Sequence, residues 1–140
     1  GFEHTKEYAR RSIFYYTQYL NFAFNYEELG YATEINELAY FAMFAIADLY
    51  KLCGLHEKAI DYAIRAEEFC PDRNEHIVVL AQCYNDLGDY ESMKIQTERL
   101  IDPERKLPFP QYNFLLNTEH YIDSGNYGMQ LHQIATENYK

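Results

Sequence analysis

The chain has 140 residues, 48% of them hydrophobic and 17% aromatic, with 15 tyrosines, 9 phenylalanines and no tryptophan, enough apolar surface for a continuous core and too much for a disordered segment. A formal charge of −10 repels phosphate backbones, whose affinity for proteins rests on lysine and arginine displacing counterions. With no run of about 18 apolar residues to span a bilayer, the expectation is no nucleic acid and no membrane insertion.

Thr5 is placed to cap a first helix running to about Phe22. Phe14, Tyr15, Tyr16, Tyr19, Leu20 and Phe22, followed by Phe24 and Tyr26, put rings on every side of that helix. One neighbouring helix cannot cover them all. Either the following helices wrap it, or a partner docks there, a second copy of the chain being the simplest. A short or broken second helix is expected over Tyr26 to Ile35, because Gly30 in its middle costs roughly 1 kcal/mol relative to alanine.

Thr33 or Asn36 then caps a helix over Glu37 to Leu52, whose apolar residues occupy most of its circumference and require contacts from several sides. Tyr50 supplies an aromatic for its buried face and Gly54 a residue free to turn left-handed. From Glu57 to Phe69 the residues Ala59, Ile60, Ala63, Ala66 and Phe69 keep helical spacing, and Pro71 ends the run. Asp72 with Glu75 reads as a capping box for a helix to about Leu87 that buries Ile77, Leu80, Ala81 and Tyr84. Gly88 makes the next turn and Asp89 caps a helix ending near Ile101.

Asp102 through Pro110 carries Pro103, Pro108 and Pro110, which predicts a loop. A final pair is expected over about Gln111 to Ser124 and Asn126 to Tyr139. The last helix places Tyr127, Leu131, Ile134 and Ala135 on one face and leaves Gln130, Gln133, Thr136 and Glu137 off it.

Tyr50 and Gly54 recur 34 residues later as Tyr84 and Gly88, and Tyr121 with Gly125 follows after 37 more, the extra residues falling in the proline-rich loop. A period of 34 resembles the tetratricopeptide repeat. The fold class implied is all-α, a TPR-like right-handed α-solenoid of about three to four helix-turn-helix repeats. It forms a single domain over residues 1–140, and the opening Gly1 suggests a fragment of a longer protein.

A second resemblance adds to the first. Arg11-Ser12-Ile13-Phe14-Tyr15-Tyr16-Thr17-Gln18-Tyr19 is similar to the opening of the tetratricopeptide-like region that follows the catalytic domain in family-two glycosyltransferases. Glu37 through Tyr50, Gly54 to Pro71, Leu107 to Pro110 and Tyr121 to Gly125 resemble that region's later segments in order. Phe24 stands where that family has a turn glycine, and Gly30 where it continues a helix. The catalytic Asp-x-Asp motif on an α/β domain is absent from the sequence, so no catalytic residue carries over.

A tetratricopeptide array binds along the concave surface lined by its first helices. Projected here, that surface holds Tyr15, Tyr19, Phe22, Phe41, Phe44, Asp48, Lys51, Glu75, Val78, Gln82, Asn85, Tyr112, Leu115 and Glu119. It is aromatic at one end and acidic or amide-rich at the other, which suits a ligand of basic or apolar character. The Lys, Arg and Asn clamp that grips a peptide carboxylate in chaperone-binding members is replaced by Phe44, Asp48, Glu75 and Val78.

The five histidines are scattered, none in the His-x-x-x-His spacing that sets two imidazoles on one helical face for zinc. Cys53, Cys70 and Cys83 lack metal spacing and are expected to be reduced and buried, as in the cytoplasm. The expectation is therefore a non-catalytic scaffold with no cofactor and no metal. Its partner is a protein or peptide, or an adjoining catalytic domain of the same chain, with a homodimer as a further option. The alternative is a free-standing adaptor that takes a peptide in its concave groove.

Overall fold

The computed structural model describes the backbone of residues 2–27, 32–102 and 124–139, and the side chains of residues 6–21, 39–102 and 129–138. Every element among them is helical: α1 (Phe2–Glu27), α2 (Ala32–Leu52), α3 (His56–Glu67), α4 (Glu75–Leu87), α5 (Tyr90–Leu100) and α6 (Ser124–Tyr139). They fall into two compact units, Gly1–Pro71 and Asp72–Lys140. In the first, α2 packs against both α1 and α3; in the second, α5 packs against both α4 and α6.

The turn after α2 and the turn after α4 have the same hydrogen-bond pattern. Leu55 N–H donates to the Tyr50 carbonyl at 2.9 Å and Gly54 N–H to that of Lys51 at 3.0 Å. Thirty-four residues on, Asp89 N–H donates to Tyr84 at 2.9 Å and Gly88 N–H to Asn85 at 3.1 Å. These two bonds, six-to-one and five-to-two, make a Schellman turn, which satisfies the last carbonyls of a helix only if one residue becomes left-handed. Gly54 (φ +79°) and Gly88 (φ +75°) do so.

The match extends into the helices that follow. Ala59, Ala63 and Ala66 are the buried positions of α3; Met93, Thr97 and Leu100 are those of α5, each 34 residues beyond its counterpart. The residue types differ, so sequence identity hides the correspondence, whereas burial keeps it. Alanine at all three positions draws α3 close to its neighbour; in α5, Thr97 is tolerated because its hydroxyl donates to the Lys94 carbonyl at 3.0 Å.

The core of the first unit lies on α2, where every residue from Ala39 to Leu49 except Phe41 is buried. The second unit is similar: Arg73 through Ala81 are all buried, along with Cys83. Edge-to-face rings link Tyr40 to Phe44 at 5.8 Å and Phe44 to Phe41 at 5.5 Å. Such pairs add about 0.5–1.5 kcal/mol each beyond their area.

Several boundaries differ from expectation. α1 runs on to Glu27 and α2 already begins at Ala32, so no separate helix spans Tyr26 to Ile35, and Thr33 and Asn36 lie within α2 rather than capping it. The apolar run of α2 extends its helix upstream past both polar residues. Asp72 is no cap either: Asn74 occupies that position and Glu75 turns to Arg73. Asp89 does cap α5, accepting from Ser92 N–H at 3.2 Å.

The third expected turn does not form, because Gly125 is the second residue of α6 and is helical. Glycine permits either conformation, and here it takes the helical one. On α6, Leu131 and Ala135 are buried as expected but Ile134 is 40% exposed. Residues 103–123, which include the proline-rich stretch and most of the expected helix from Gln111 to Ser124, lie outside the described residues.

Candidate functional site

α1 and α2 enclose an open groove of about 500 Å³ lined by Ser12, Tyr15, Tyr16, Tyr19, Phe41 and Ala42. Its geometry follows from the 3.6-residue turn: Ala9 and Leu20 point inward on α1, while Tyr8, Phe14 and Tyr15 point outward at 67%, 58% and 70% exposure. Ser12 and Tyr19 are half-buried and fall between these faces, and the outward Tyr15 stands between them along the helix as the outer edge of the groove. Tyr16 sits deeper and meets Phe41 edge to face at 6.2 Å. Phe41 also touches Phe44, so the groove floor continues into the aromatic core.

The walls are nearly all carbon. Burial raises the Tyr16 pKa, with Tyr8 adding to the rise, which keeps its hydroxyl neutral at any physiological pH. Beside the groove a shallower cleft of about 350 Å³ is lined by Glu7, Arg10, Arg11, Phe14 and Tyr15, so Tyr15 is shared by both. There Arg11 Nε lies 3.3 Å from Glu7 Oε1 and Arg10 Nη1 3.6 Å from Glu7 Oε2. Phe14 and Tyr15 pack edge to face at 5.6 Å.

Of the residues projected onto a concave surface, the structure brings Tyr15, Tyr19 and Phe41 together in this groove. Phe44 and Val78 do not belong to an accessible face: both are 0% exposed and fill the core. The carboxylates are also withdrawn. Asp48 is buried with Lys51 Nζ 3.1 Å from its Oδ1, and Glu75 is buried with Arg73, whose Nη2 donates to Oε2 at 3.0 Å and whose Nε also reaches the carboxylate.

Burial pushes both acids up, Lys51 and Arg73 acting in the opposite direction. Asp48 and Glu75, expected on the surface, are thus each held in a buried ion pair, because charge this deep must be neutralised or paired. Gln82 and Asn85 are half-buried on α4. The side chains of Phe22, Tyr112, Leu115 and Glu119 lie outside the described ones.

Sequence reasoning missed Arg10, Arg11 and Ser12 as members of the site. The i, i+4 spacing of Arg11 with Tyr15 and of Ser12 with Tyr16 places them on one face, but such spacing is too common on a helix to single them out.

Elsewhere, Lys58 lies over the Tyr50 ring at 5.5 Å and Arg65 over Tyr62 at 4.7 Å, the two rings being 5.5 Å apart. This stack ties the end of α2 to α3. Cys53 and Cys70 are half-buried and Cys83 is buried, and none is in a disulfide. Among the described residues no three His, Cys, Asp or Glu side chains gather to hold a metal, and no helix is long and apolar enough to cross a membrane. Compared with protein-family models, curated proteins and solved structures, the chain gives no match.

Proposed function

We propose that the chain is a helical-repeat interaction module of tetratricopeptide type, which binds a protein segment through the aromatic groove and carries no catalytic site of its own. The observation that supports this reading most directly is the pair of Schellman turns 34 residues apart, each followed by a helix buried at the same three positions. A repeat is one supersecondary unit that stacks on its neighbours, and exposed rings on its first helix leave a surface for a partner. Three cysteines outside any disulfide suit a reducing compartment such as the cytoplasm.

The resemblance of Arg11 to Tyr19 and the segments after it favours an accessory region following a family-two glycosyltransferase domain. The accessible groove favours a second reading, a free-standing adaptor for a peptide. Reading the coding sequence upstream of residue 1 decides between them: a sugar-nucleotide-binding domain there selects the first. In either case the purified chain is expected to hydrolyse no sugar nucleotide.

The repeat itself is tested by duplication. A second copy of residues 55–88 inserted after Gly88 restores the Gly-to-Leu55 junction and should fold with added helix and undiminished melting temperature. A shorter duplication ending at Tyr84 is out of phase and should destabilise. Equal behaviour of the two insertions would remove the basis for a repeat.

A further inference from the structure

The groove and the cleft beside it share Tyr15, so apolar walls and an arginine rim form one continuous surface. The charged residues lining the cleft are Arg10, Arg11 and Glu7, a local cationic excess in a chain whose formal charge is −10. Both guanidiniums reach the same carboxylate, at 66% and 74% side-chain exposure, so Glu7 neutralises only one of them. With a screening length of about 8 Å at physiological salt, an occupant of the groove responds to these arginines rather than to distant carboxylates.

We propose that this surface docks an acidic amphipathic helix from another protein chain. Its apolar side chains sit between Tyr15, Tyr19 and Phe41, and its carboxylates face Arg10 and Arg11. The proposal deepens the interaction-module reading and rests on it. Three observations select this occupant. The described residues offer no strand edge for an extended peptide, whereas a cleft alongside two helices fits helix-in-groove recognition with anchors every three or four residues. The exposed wall area is almost entirely apolar, which favours leucine-type side chains over a strongly hydrated ligand. Two copies meeting on this face would bring like charges together, which disfavours self-pairing.

The test uses the full 140-residue chain and a fluorescein-labelled, hydrocarbon-stapled helical peptide with leucine at the anchor positions and glutamate elsewhere. A companion peptide has glutamine in place of every glutamate. By fluorescence anisotropy in about 0.15 M salt, the glutamate peptide should bind about five-fold more tightly, the scale of two rim ion pairs. Tyr15→Ser should weaken both peptides by about ten-fold, as expected for a central aromatic anchor. Arg10→Gln with Arg11→Gln should make the two peptides bind alike.

Equal binding by the native chain, binding indifferent to Tyr15→Ser, or no binding of either peptide overturns the proposal. So does a dimer in sedimentation equilibrium that Tyr15→Ser dissociates, since a second copy would then be the occupant. Tyr15 is 70% exposed, so its variant should keep the native circular dichroism. The duplication test addresses the repeat separately, so failure of docking and failure of the module reading are distinguishable.

Discussion

Replacing Gly54 by alanine isolates a single physical cost. A Cβ built at Gly54 meets no atom within 4 Å, so alanine clashes with nothing outside its own backbone, and the penalty comes from φ of +79° alone. For an L-residue that conformation costs about 1–2 kcal/mol, partly offset by the lower entropy of the unfolded alanine chain, about 0.4–1 kcal/mol. A net loss of about 1 kcal/mol should lower the melting temperature of a unit of this size by roughly 5 °C.

Gly54→Asn should cost less, because asparagine enters the left-handed region more readily, and Gly54→Val more, because β-branching resists it. Gly88→Ala should match Gly54→Ala, since its φ is +75° and its Cβ also meets open space. Gly128→Ala, within the helical run of α6, should shift stability the other way by roughly 0.5–1 kcal/mol. Calorimetric melts and urea titrations read all five. Equal losses for alanine at 54 and at 128, or asparagine at 54 as costly as alanine, would refute the assignment of a left-handed turn.

Arg73→Met should cost about 3–5 kcal/mol by urea denaturation, because it strands the fully buried Glu75 carboxylate, and adding Glu75→Leu should recover most of that loss. Asp48 gives a pH test. Burial raises its folded pKa, so the folded chain holds that proton more tightly than the unfolded one. The group's contribution is most favourable below the ordinary aspartate value and falls as pH rises through the raised one. Asp48→Asn should therefore gain stability relative to the native chain as pH is raised from about 4 to 7, and a constant difference would contradict this. Thiol labelling of the native chain should modify Cys53 and Cys70 but spare the buried Cys83 until denaturant is added, as intact-mass spectrometry can count.

The candidate site was half legible in the sequence. Tyr15 and Tyr19 were identifiable because aromatic residues in excess of what one helix can bury mark a surface by composition alone, and Phe41 because the repeat pattern projects it onto the same face. Arg10 and Arg11 were not, because a lone basic pair beside a glutamate looks like any solvated helix face until its neighbours are placed. Asp48 and Glu75 misled for the converse reason. A carboxylate within a polar stretch reads as exposed, and only packing shows that Lys51 and Arg73 follow it inside.

The sequence by itself determined the local events: helices from apolar periodicity, and left-handed closure at Gly54 and Gly88 from a glycine four residues after a tyrosine. These depend on interactions among residues a few positions apart, which a linear pattern records directly. Tertiary structure decided where a pattern took effect. Gly125 follows Tyr121 by the same interval yet is helical, the second residue of α6. Met93, Thr97 and Leu100 take the buried places of Ala59, Ala63 and Ala66 although no residue is shared, because helical geometry fixes which positions face a neighbouring helix while the gap to that neighbour decides what size of side chain fills them.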